Sequence, residues 1–359
     1  MPVQADDDSP DRGVTLSAES TSSRRIPSHE GATVSVARRV RGQRSSRRFL
    51  ARYGLVGFLV LLFVVFTILE PHSFFNLNQF KSLLLDQTVN VCLAFAVLGT
   101  LIVGEFDLSV GYVLGFAAVV AASVSGQHHF DTAATIIAAL GVGLVIGVVN
   151  GVLTTFFRVA SLIATLGVGL AVSGLTVGVS GSQTLATGIP VLITELSTNT
   201  FLGIDLAVWF CAIIAILLYL ILAHTPLGRR MYAIGGSERV ATLAGVHTRR
   251  LKIVAFGAGG VLAAIAGLLV LGQAGAANPS YGPALLLPAY AAVFLGSTCI
   301  RPGYFNLWGT IVAVLVLAVG FTGLSLLGLP FWSEPIFNGA ALIIGVLLSR
   351  SESHQIGKS

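Results

Sequence analysis

Long apolar runs separated by short polar segments make up most of the chain after residue 52. A membrane-spanning helix needs about 20 apolar residues to cross ~30 Å of hydrocarbon, and most of these runs are close to that length. The pattern therefore predicts an all-α polytopic membrane protein with about ten transmembrane helices. The predicted spans are 53–69, 83–103, 110–125, 133–153, 161–179, 206–223, 251–272, 284–300, 307–329 and 331–348.

Three of these runs are irregular. The run 110–125 is short, and Pro288 and Pro335 interrupt the runs 284–300 and 331–348. A proline inside a helix removes a backbone N–H group and kinks or breaks the helix. Some of the helices are therefore expected to be broken or re-entrant.

The segment before the first apolar run has a different composition. Residues 1–52 are rich in Ser, Arg and Asp and contain no apolar run that could build a core, which predicts a disordered, basic tail. No small-residue cleavage site follows the first run, so that run is expected to be an uncleaved anchor. The expected domains are this tail, a transmembrane domain over 53–348 and a short tail over 349–359.

The positions of Lys and Arg predict the orientation of the chain. If the ten spans alternate in direction, 20 of the 21 Lys and Arg residues fall on one side of the membrane, and only Lys81 falls on the other. Cytoplasmic loops of membrane proteins carry such an excess of basic residues. Both termini are therefore expected to be cytoplasmic.

The composition agrees with a membrane protein. The chain is 54% hydrophobic and 10% charged, with a mean hydropathy of +0.86, whereas soluble domains carry about 25% charged residues. The net charge of +5 could suggest a nucleic-acid partner. Because the basic residues outside the tail lie at the ends of the apolar runs, the expected partner is the lipid bilayer and not nucleic acid.

Few residues suggest chemistry. Cys92, Cys211 and Cys299 lie far apart inside apolar runs, which is typical of packing residues and not of a disulfide framework or a metal site. The sequence contains no metal-ligand spacing, nucleophile elbow or complete phosphate loop. We therefore expect no catalytic residue, metal or cofactor.

Glycines recur every four residues along several of the predicted spans. Such faces let helices approach closely, so they predict tight packing within the fold, with an interface between two copies as the alternative. The repeats are Gly111 with Gly115, Gly143 with Gly147 and Gly151, and Gly174 with Gly178.

The stretch "GEFDLSVG", residues 104–111, places two carboxylates between uncharged apolar runs. Asp107, or the hydroxyl of Ser109, could cap the first turn of the following helix. Glu105 could face a cavity or pair with Arg158 or Arg301. Two interpretations stay open at this point: a short inner loop, or a broken helix beside a translocation path, where non-helical backbone must be buried in protein or line a watery cavity.

The inner segment 224–250, "HTPLGRRMYAIGGSERVATLAGVHTRR", is the longest polar piece between spans on the inner side. Its "SERVATLAG" stretch predicts a short helix, with Ser237 as the N-cap, Glu238 in the first turn and Gly245 at the end. Gly235 and Gly236 are expected to form the tight turn that leads into this helix. Such a helix could lie on the membrane surface, serve as a plain connector or dock a partner.

Four motifs, in order and at matching spacing, carry a resemblance to a known family. They are "GEFDLSVG", "NGVLTTFFRVASLIATLG" at 150–167, "TPLGRRMYAIGGSERVATLAGV" at 225–246 and "VFLGSTCIRPGYFNLWGT" at 293–310. Together they resemble the permease subunit of ribose-type bacterial ABC sugar importers. The resemblance extends from about residue 53 to 348.

The resemblance implies a multi-pass protein of the bacterial inner membrane. It further implies a non-catalytic subunit whose partners are a cytoplasmic ABC ATPase, a periplasmic or lipid-anchored sugar-binding protein and a second permease copy, either identical or a close paralogue. The family's inner loop couples to the ATPase. The matching positions here are Gly228, Arg229, Gly235, Gly236, Glu238 and Gly245. The candidates for the translocation path and helix break are Glu105, Asp107, Ser109, Gly111 and Asn90.

The chain also departs from the family pattern. Glu105 stands where the family has a second glycine, and the two small residues expected after Glu238 are here Arg239 and Val240. The stretches "ASLI" and "STCIRPGYFN" replace a proline-rich and a glycine-rich element of the family. These departures concern the substrate more than the transport machinery.

Two classes of function are expected to compete. The first is the permease of an ATP-driven importer of a monosaccharide or related polyol. The second is an ion-coupled secondary transporter that uses Glu105 and Asp107, because broken helices and intramembrane acids occur in such carriers too. The 224–250 segment favours the first class, since a secondary carrier has no use for an ATPase-coupling loop.

Overall fold

The structure is a computed structural model that describes residues 52–71, 74 and 76–356. Residues 1–51 of the predicted tail and residues 357–359 lie outside the described residues. The helices are α1 (Arg52–Leu69), α2 (Leu77–Ile102), α3 (Val110–Ala122), α4 (Thr132–Thr155), α5 (Ser161–Ser180), α6 (Val191–Thr198), α7 (Leu206–His224), α8 (Pro226–Gly236), α9 (Glu238–Leu243), α10 (Thr248–Ala274), α11 (Tyr281–Gly296), α12 (Leu307–Leu326) and α13 (Ser333–Ile356). A π-helical turn, Ser123–Gln127, extends α3, and the short antiparallel strands β1 (Thr200–Phe201) and β2 (Ile204–Asp205) lie between α6 and α7.

The apolar helices confirm the polytopic fold. Among the described residues, eight helices are long and apolar enough to cross a membrane, and two more apolar helices, α11 and the apolar part of α13, are shorter. These ten helices match the ten predicted spans in order. Helix α13 continues to Ile356, so much of the predicted C-terminal tail is helical.

Polar residues at the helix starts explain several boundaries. The side chains of Asn76, Asp131 and Asn306 each accept a hydrogen bond from a backbone N–H group in the first turn of the helix that follows. These caps satisfy donors that have no partner within the helix. The cap at Asn76 starts α2 six residues before the predicted boundary at residue 83.

The two prolines that interrupt the predicted runs do not break their helices. Pro288 lies inside α11, which continues on both sides of it. Pro335 falls in the first turn of α13, where a helix has no N–H bond for proline to remove. The break in the fold lies instead between α2 and α3.

Helix α10 lies at the centre of the bundle, where it packs against α2, α3 and α4. The largest fully buried side chains come from these same elements, among them Phe95 of α2, Leu114 of α3 and Phe256 of α10. Apolar burial of this kind holds the helices in fixed positions around the break.

The glycine repeats pack inside the fold for α3 and α4. A Cβ atom on Gly111 would clash with the backbone of Gly282 in α11, and one on Gly143 would clash with the backbone of Gly260 in α10. These pairs of helices therefore approach backbone to backbone. Packing within the fold is not observed for α5, because nothing among the described residues lies within 4 Å of a Cβ on Gly174 or Gly178; the alternative, an interface between two copies, stays a prediction there.

Two of the three cysteines are neighbours. The Sγ atoms of Cys92 in α2 and Cys211 in α7 lie 3.2 Å apart, and both side chains are buried free thiols. Their role as small packing residues agrees with the sequence, but the contact between them was not predicted because 119 residues separate them.

Candidate functional site

The break is the non-helical segment between α2 and α3, residues 103–109. Val103, Asp107 and Ser109 are buried there, Gly104 is exposed, and the other three residues are half-buried. Backbone donors of the break are satisfied by side chains of other helices: Phe106 N–H by Ser161 Oγ at 3.2 Å, and Leu108 N–H by Thr165 Oγ1 at 3.0 Å. The N–H group of Asp107 donates to the hydroxyl of Tyr290 at 2.9 Å. Non-helical backbone can persist inside a membrane protein only when its polar groups find such partners.

The carboxylate of Asp107 organises a small buried network. Its Oδ1 atom accepts from the Ser109 hydroxyl at 2.6 Å and from the Ser109 N–H group at 2.9 Å. Ser109 Oγ in turn accepts from Asn150 Nδ2 at 2.7 Å. Asp107, Ser109 and Asn150 are each 1% exposed or less, so the network ties the break to α4 away from solvent.

The predicted N-terminal cap of α3 by the side chain of Asp107 or Ser109 does not form. Ser109 occupies the N-cap position of α3, but its side chain makes no capping hydrogen bond. The Asp107 carboxylate holds Ser109 instead of an N–H group inside the first helical turn. Both residues therefore shape the break itself, and Gly111 behind them lets α3 approach α11.

An aromatic cluster covers the other side of the break. The ring of Phe106 stacks on that of Tyr290 with centroids 6.3 Å apart, and Tyr290 stacks on Phe294 at 6.4 Å. Offset ring pairs at this separation are favourable beyond their buried area. The ring of Tyr290 thus packs on the break, and its hydroxyl accepts a hydrogen bond from the backbone N–H group of Asp107.

Glu105 pairs with Lys252 of α10. The sequence had suggested Arg158 or Arg301 as its partner. Lys252 Nζ lies 2.7 Å from Glu105 Oε1 and also 2.7 Å from Glu238 Oε2. The Lys252 side chain is 9% exposed, Glu105 is 18% exposed and Glu238 is 52% exposed. One ammonium group therefore joins the helix break to the first residue of α9.

The short helix α9 confirms the interpretation of the 224–250 segment. Ser237 is its N-cap and accepts from the N–H group of Val240 at 3.4 Å, and Gly245 follows its end with a φ of +81°. A β-branched or bulky residue is strained in this left-handed region, so glycine is required there. The sequence did not predict α8, which precedes α9 and is capped by Thr225.

Gly235 and Gly236 lie in the last turn of α8 and do not form the tight turn that was predicted. Gly235 packs on the end of α2, where an added Cβ would clash with the carbonyl oxygen of Ile102. Nothing among the described residues lies within 4 Å of a Cβ on Gly236. The inner segment therefore contacts the break twice, once through Gly235 and once through Glu238 and Lys252.

The remaining two coupling candidates position α8. Gly228 lies so close to the last turn of α7 that a Cβ would overlap the backbone of Leu222. Arg229 lines a cleft with Tyr232, whose hydroxyl donates to the carbonyl of Phe305 at 2.9 Å. Burial raises the pKa of Tyr232, and the positive charge of Arg301 partly offsets this rise.

The surface of α9 is apolar at its tip and basic at its side. Val240 is 64% exposed and Leu243 is 82% exposed. A cleft of about 650 Å³ runs beside them, lined by charged side chains and threonines. The charged lining residues are Arg158, Glu238, Arg239, Arg249 and Lys252.

Asn90 is not part of the break. It lies in α2, on the wall of a separate cavity between α2, α11, α12 and α13, with its amide donating to Gln87 Oε1 at 2.9 Å. Asp107, Ser109 and Gly111 are buried against other helices. The predicted path residues therefore divide into a structural group at the break and one residue beside a cavity.

Sequence reasoning missed the partners that complete the site. Lys252, Tyr290, Ser161, Thr165 and Asn150 come from four helices, and no short motif links them. Lys252 carried one usable signal, because it lies four residues inside an apolar helix and is almost buried there. In the described part of the chain, no group of three or more His, Cys, Asp or Glu residues could hold a metal ion.

Comparisons with known proteins agree with this arrangement. The family described as "Branched-chain amino acid transport system / permease component" matches residues 82–347. The ribose import permease protein of Escherichia coli (strain K12) is 32% identical over 301 residues, which cover 83% of this chain and 93% of that protein. The ribose import permease protein of Bacillus subtilis (strain 168) is 33% identical over 298 residues, 82% of this chain and 91% of that protein.

A less similar relative is covered to a comparable extent. The L-arabinose ABC transporter permease protein of Azospirillum brasilense is 28% identical over 313 residues, 86% of this chain and 90% of that protein. No solved structure matches the chain. The family match over residues 82–347 includes the break, the inner segment and all or part of every apolar helix from α2 onward. The chain is a multi-pass protein of the bacterial inner membrane. It belongs to the family of ABC-importer permease components that includes the ribose import permeases.

Proposed function

We propose that this chain forms the translocation pathway of an ATP-driven, binding-protein-dependent importer of a monosaccharide or related polyol. Relatives named for ribose import, xylose transport and L-arabinose transport support this substrate class. The chain itself is a non-catalytic subunit. ATP hydrolysis belongs to a separate cytoplasmic ATPase, and a sugar-binding protein delivers the substrate from the opposite side.

The observation that carries the proposal is the double ion pair of Lys252. It connects α9, the outermost part of the inner segment, to the break between α2 and α3. The contact of Gly235 with Ile102 adds a second, backbone connection between the same two regions. A force applied to α8 and α9 is thus transmitted to the break through two short links.

The exposed face of α9 is the surface on which the ATPase docks. Val240 and Leu243 present apolar side chains that a soluble connector would not need to expose, and the basic cleft beside them suits acidic groups on the partner. Two copies of the permease, each with one ATPase subunit, would complete the transporter.

The docking surface can be tested without disturbing the fold. We expect Leu243→Asp to abolish recovery of the ATPase on pull-down and to abolish sugar uptake, because it places a charge in an apolar contact. Leu202→Asp is a matched control, since Leu202 is 79% exposed and lies in the hairpin between α6 and α7, on the predicted outer side. Both variants should reach the membrane at normal levels, because neither side chain packs in the core.

Two results would contradict the proposal. One is ATPase recovery that is unchanged by Leu243→Asp. The other is normal uptake in cells that lack every candidate ATPase, which would favour the ion-coupled carrier. That alternative is not favoured by the geometry, because Glu105 is already paired with Lys252 and the Asp107 Oδ1 atom already accepts two hydrogen bonds.

A further inference from the structure

A cavity of about 390 Å³ lies between α2, α11, α12 and α13. Its volume falls in the range of pockets that hold small ligands, about 300–1,000 Å³. Most of its wall is apolar. Five polar side chains interrupt that wall, namely Gln87, Asn90, Thr322, Glu334 and Asn338.

The amide of Asn90 is incompletely satisfied. Its Nδ2 atom donates to Gln87 Oε1 at 2.9 Å, whereas its Oδ1 atom is buried without a hydrogen-bond partner in the described part of the chain. A buried amide oxygen without a donor is unfavourable, so such a group is expected to receive a donor from water or from a ligand. Asn338 of α13, which is 7% exposed, lines the same cavity.

The helix α11 supplies another acceptor. Pro288 has no N–H group, so the carbonyl of Ala284 lacks its i+4 donor within the helix. Both Pro288 and Ala284 line the cavity. The cavity therefore combines amide donors with an excess of acceptors.

The cavity lies in the outer part of the bundle. It is lined by the N-terminal halves of α11 and α13 and by the C-terminal half of α12, and these helix halves lie on the side that the Lys and Arg distribution predicts to be outer. Glu334, an exposed residue in the first turn of α13, stands at that end. A substrate released from a binding protein on the outer side would meet this cavity before the break.

The chemistry of the lining selects a class of ligand. Side-chain amides both donate and accept, so they pair well with neighbouring hydroxyl groups, which do the same. No Lys or Arg among the described residues lines the cavity, and Glu334 repels anions. The lining therefore suits a neutral, polyhydroxylated molecule of monosaccharide size and disfavours a phosphorylated or acidic one.

We propose that this cavity is an outer sugar-holding site of the permease, in which Asn90 and Asn338 hydrogen-bond the hydroxyl groups of the substrate. The proposal rests on the importer function argued above and adds the position and the polar groups of one site along the path. In this proposal Asn90 binds the substrate, whereas Asp107 and Ser109 hold the structure of the break.

The test uses the full transporter, with its ATPase and binding protein, in proteoliposomes and D-ribose, D-xylose and L-arabinose as probes. For the sugar that is imported, Asn90→Leu and Asn338→Leu should each lower uptake at limiting concentration by about tenfold or more, as expected for about 1.4 kcal/mol of lost binding. Recovery of the ATPase on pull-down should be unchanged. Asn78→Leu is the matched control, because Asn78 is exposed in the first turn of the same helix and does not line the cavity.

A second measurement reports on the cavity even if the leucine variants fold poorly. Asn338→Cys should react with a small thiol reagent, and saturating sugar should slow that reaction several-fold, with the parent chain as a blank because its three cysteines are buried. If the parent transporter imports sugar while Asn90→Leu and Asn338→Leu import it equally well, or if sugar gives no protection, the proposed site is wrong. If the parent shows no ATP-dependent uptake of any sugar, the importer function itself fails.

Discussion

Lys252 Nζ lies 2.7 Å from Glu105 Oε1, although 147 residues separate the two in sequence. The pair is largely shielded from solvent, whereas the contact of the same lysine with Glu238 is half exposed. Screening weakens exposed ion pairs far more than buried ones. The ion pair with Glu105 is therefore expected to be the stronger of the two, and the pair with Glu238 is expected to open more readily.

This asymmetry predicts a clear difference between the two glutamates. Lys252→Met should lower the free energy of unfolding by about 3 kcal/mol, because it leaves the shielded Glu105 carboxylate without a partner. The double variant Lys252→Met/Glu105→Gln should recover much of that loss. Denaturation of the purified protein in detergent measures both, with Arg250→Met, at an exposed position in the same helix, as the control.

Glu238→Gln should leave the stability of the permease nearly unchanged but reduce coupled transport. The side chain is half exposed, so its ion pair contributes little to folding. Sugar uptake per ATP hydrolysed is the informative quantity. An unchanged ratio in Glu238→Gln would show that this contact plays no part in coupling.

The two neighbouring glycines of α8 form a natural matched pair. Gly235→Ala should impair uptake, since its methyl group would displace the end of α2 at Ile102. Gly236→Ala should be neutral or stabilising by about 0.5–1 kcal/mol, because alanine favours the helix and the space around it is open. Uptake and membrane levels of both variants should be compared side by side. Equal effects would contradict a close contact between α8 and the break.

Asp107 is expected to act through geometry and not through its charge. Asp107→Asn keeps an Oδ1 acceptor for both Ser109 donors. It also removes the negative charge of a carboxylate whose Oδ2 atom has no hydrogen-bond partner among the described residues. Its effect should therefore be mild. Asp107→Leu loses both bonds and should destabilise the protein by about 2–3 kcal/mol. Thermal unfolding in detergent separates the two. Equal loss of transport in both variants, with folding intact, would assign a role to the charge.

The orientation predicted from Lys and Arg can be tested with two matched leucines. Leu202→Cys should react with an impermeant thiol reagent in intact cells, and Leu243→Cys should react only after permeabilisation. Both side chains are about equally exposed, at 79% and 82%, so in cells that express the permease without its ATPase the labelling reports the membrane face. Ser197 is unsuitable as an outer probe because it is 5% exposed. Labelling of Leu243→Cys in sealed cells would show that the orientation is the opposite of the predicted one.

Local patterns predicted the parts of the structure that local physics controls. The apolar runs located the ten apolar helices, and Ser237 and Gly245 located both ends of α9, because a cap and a left-handed turn depend only on adjacent residues. The partner of Glu105 was missed for the opposite reason. Its choice among Arg158, Arg301 and Lys252 depends on how α10 packs beside the break, which no local pattern encodes.

The same limit explains the errors at Asp107 and Gly235. The prediction assigned each residue the role that its type most often has locally, a helix cap for Asp107 and a turn for Gly235. In the fold, Asp107 instead holds Ser109 against Asn150, and Gly235 instead allows a close contact with Ile102. Both roles depend on neighbours that are distant in sequence.

In the proposed function, ATP hydrolysis by a partner acts through α8 and α9 to drive sugar movement through this chain. The most direct test reconstitutes the permease with its ATPase and binding protein in proteoliposomes and measures D-ribose uptake with ATP on the side of α9. We predict uptake that requires ATP hydrolysis, disappears in Leu243→Asp and persists when proton and sodium gradients are collapsed. Uptake by the permease alone, driven by an imposed ion gradient and indifferent to ATP, would contradict the claim.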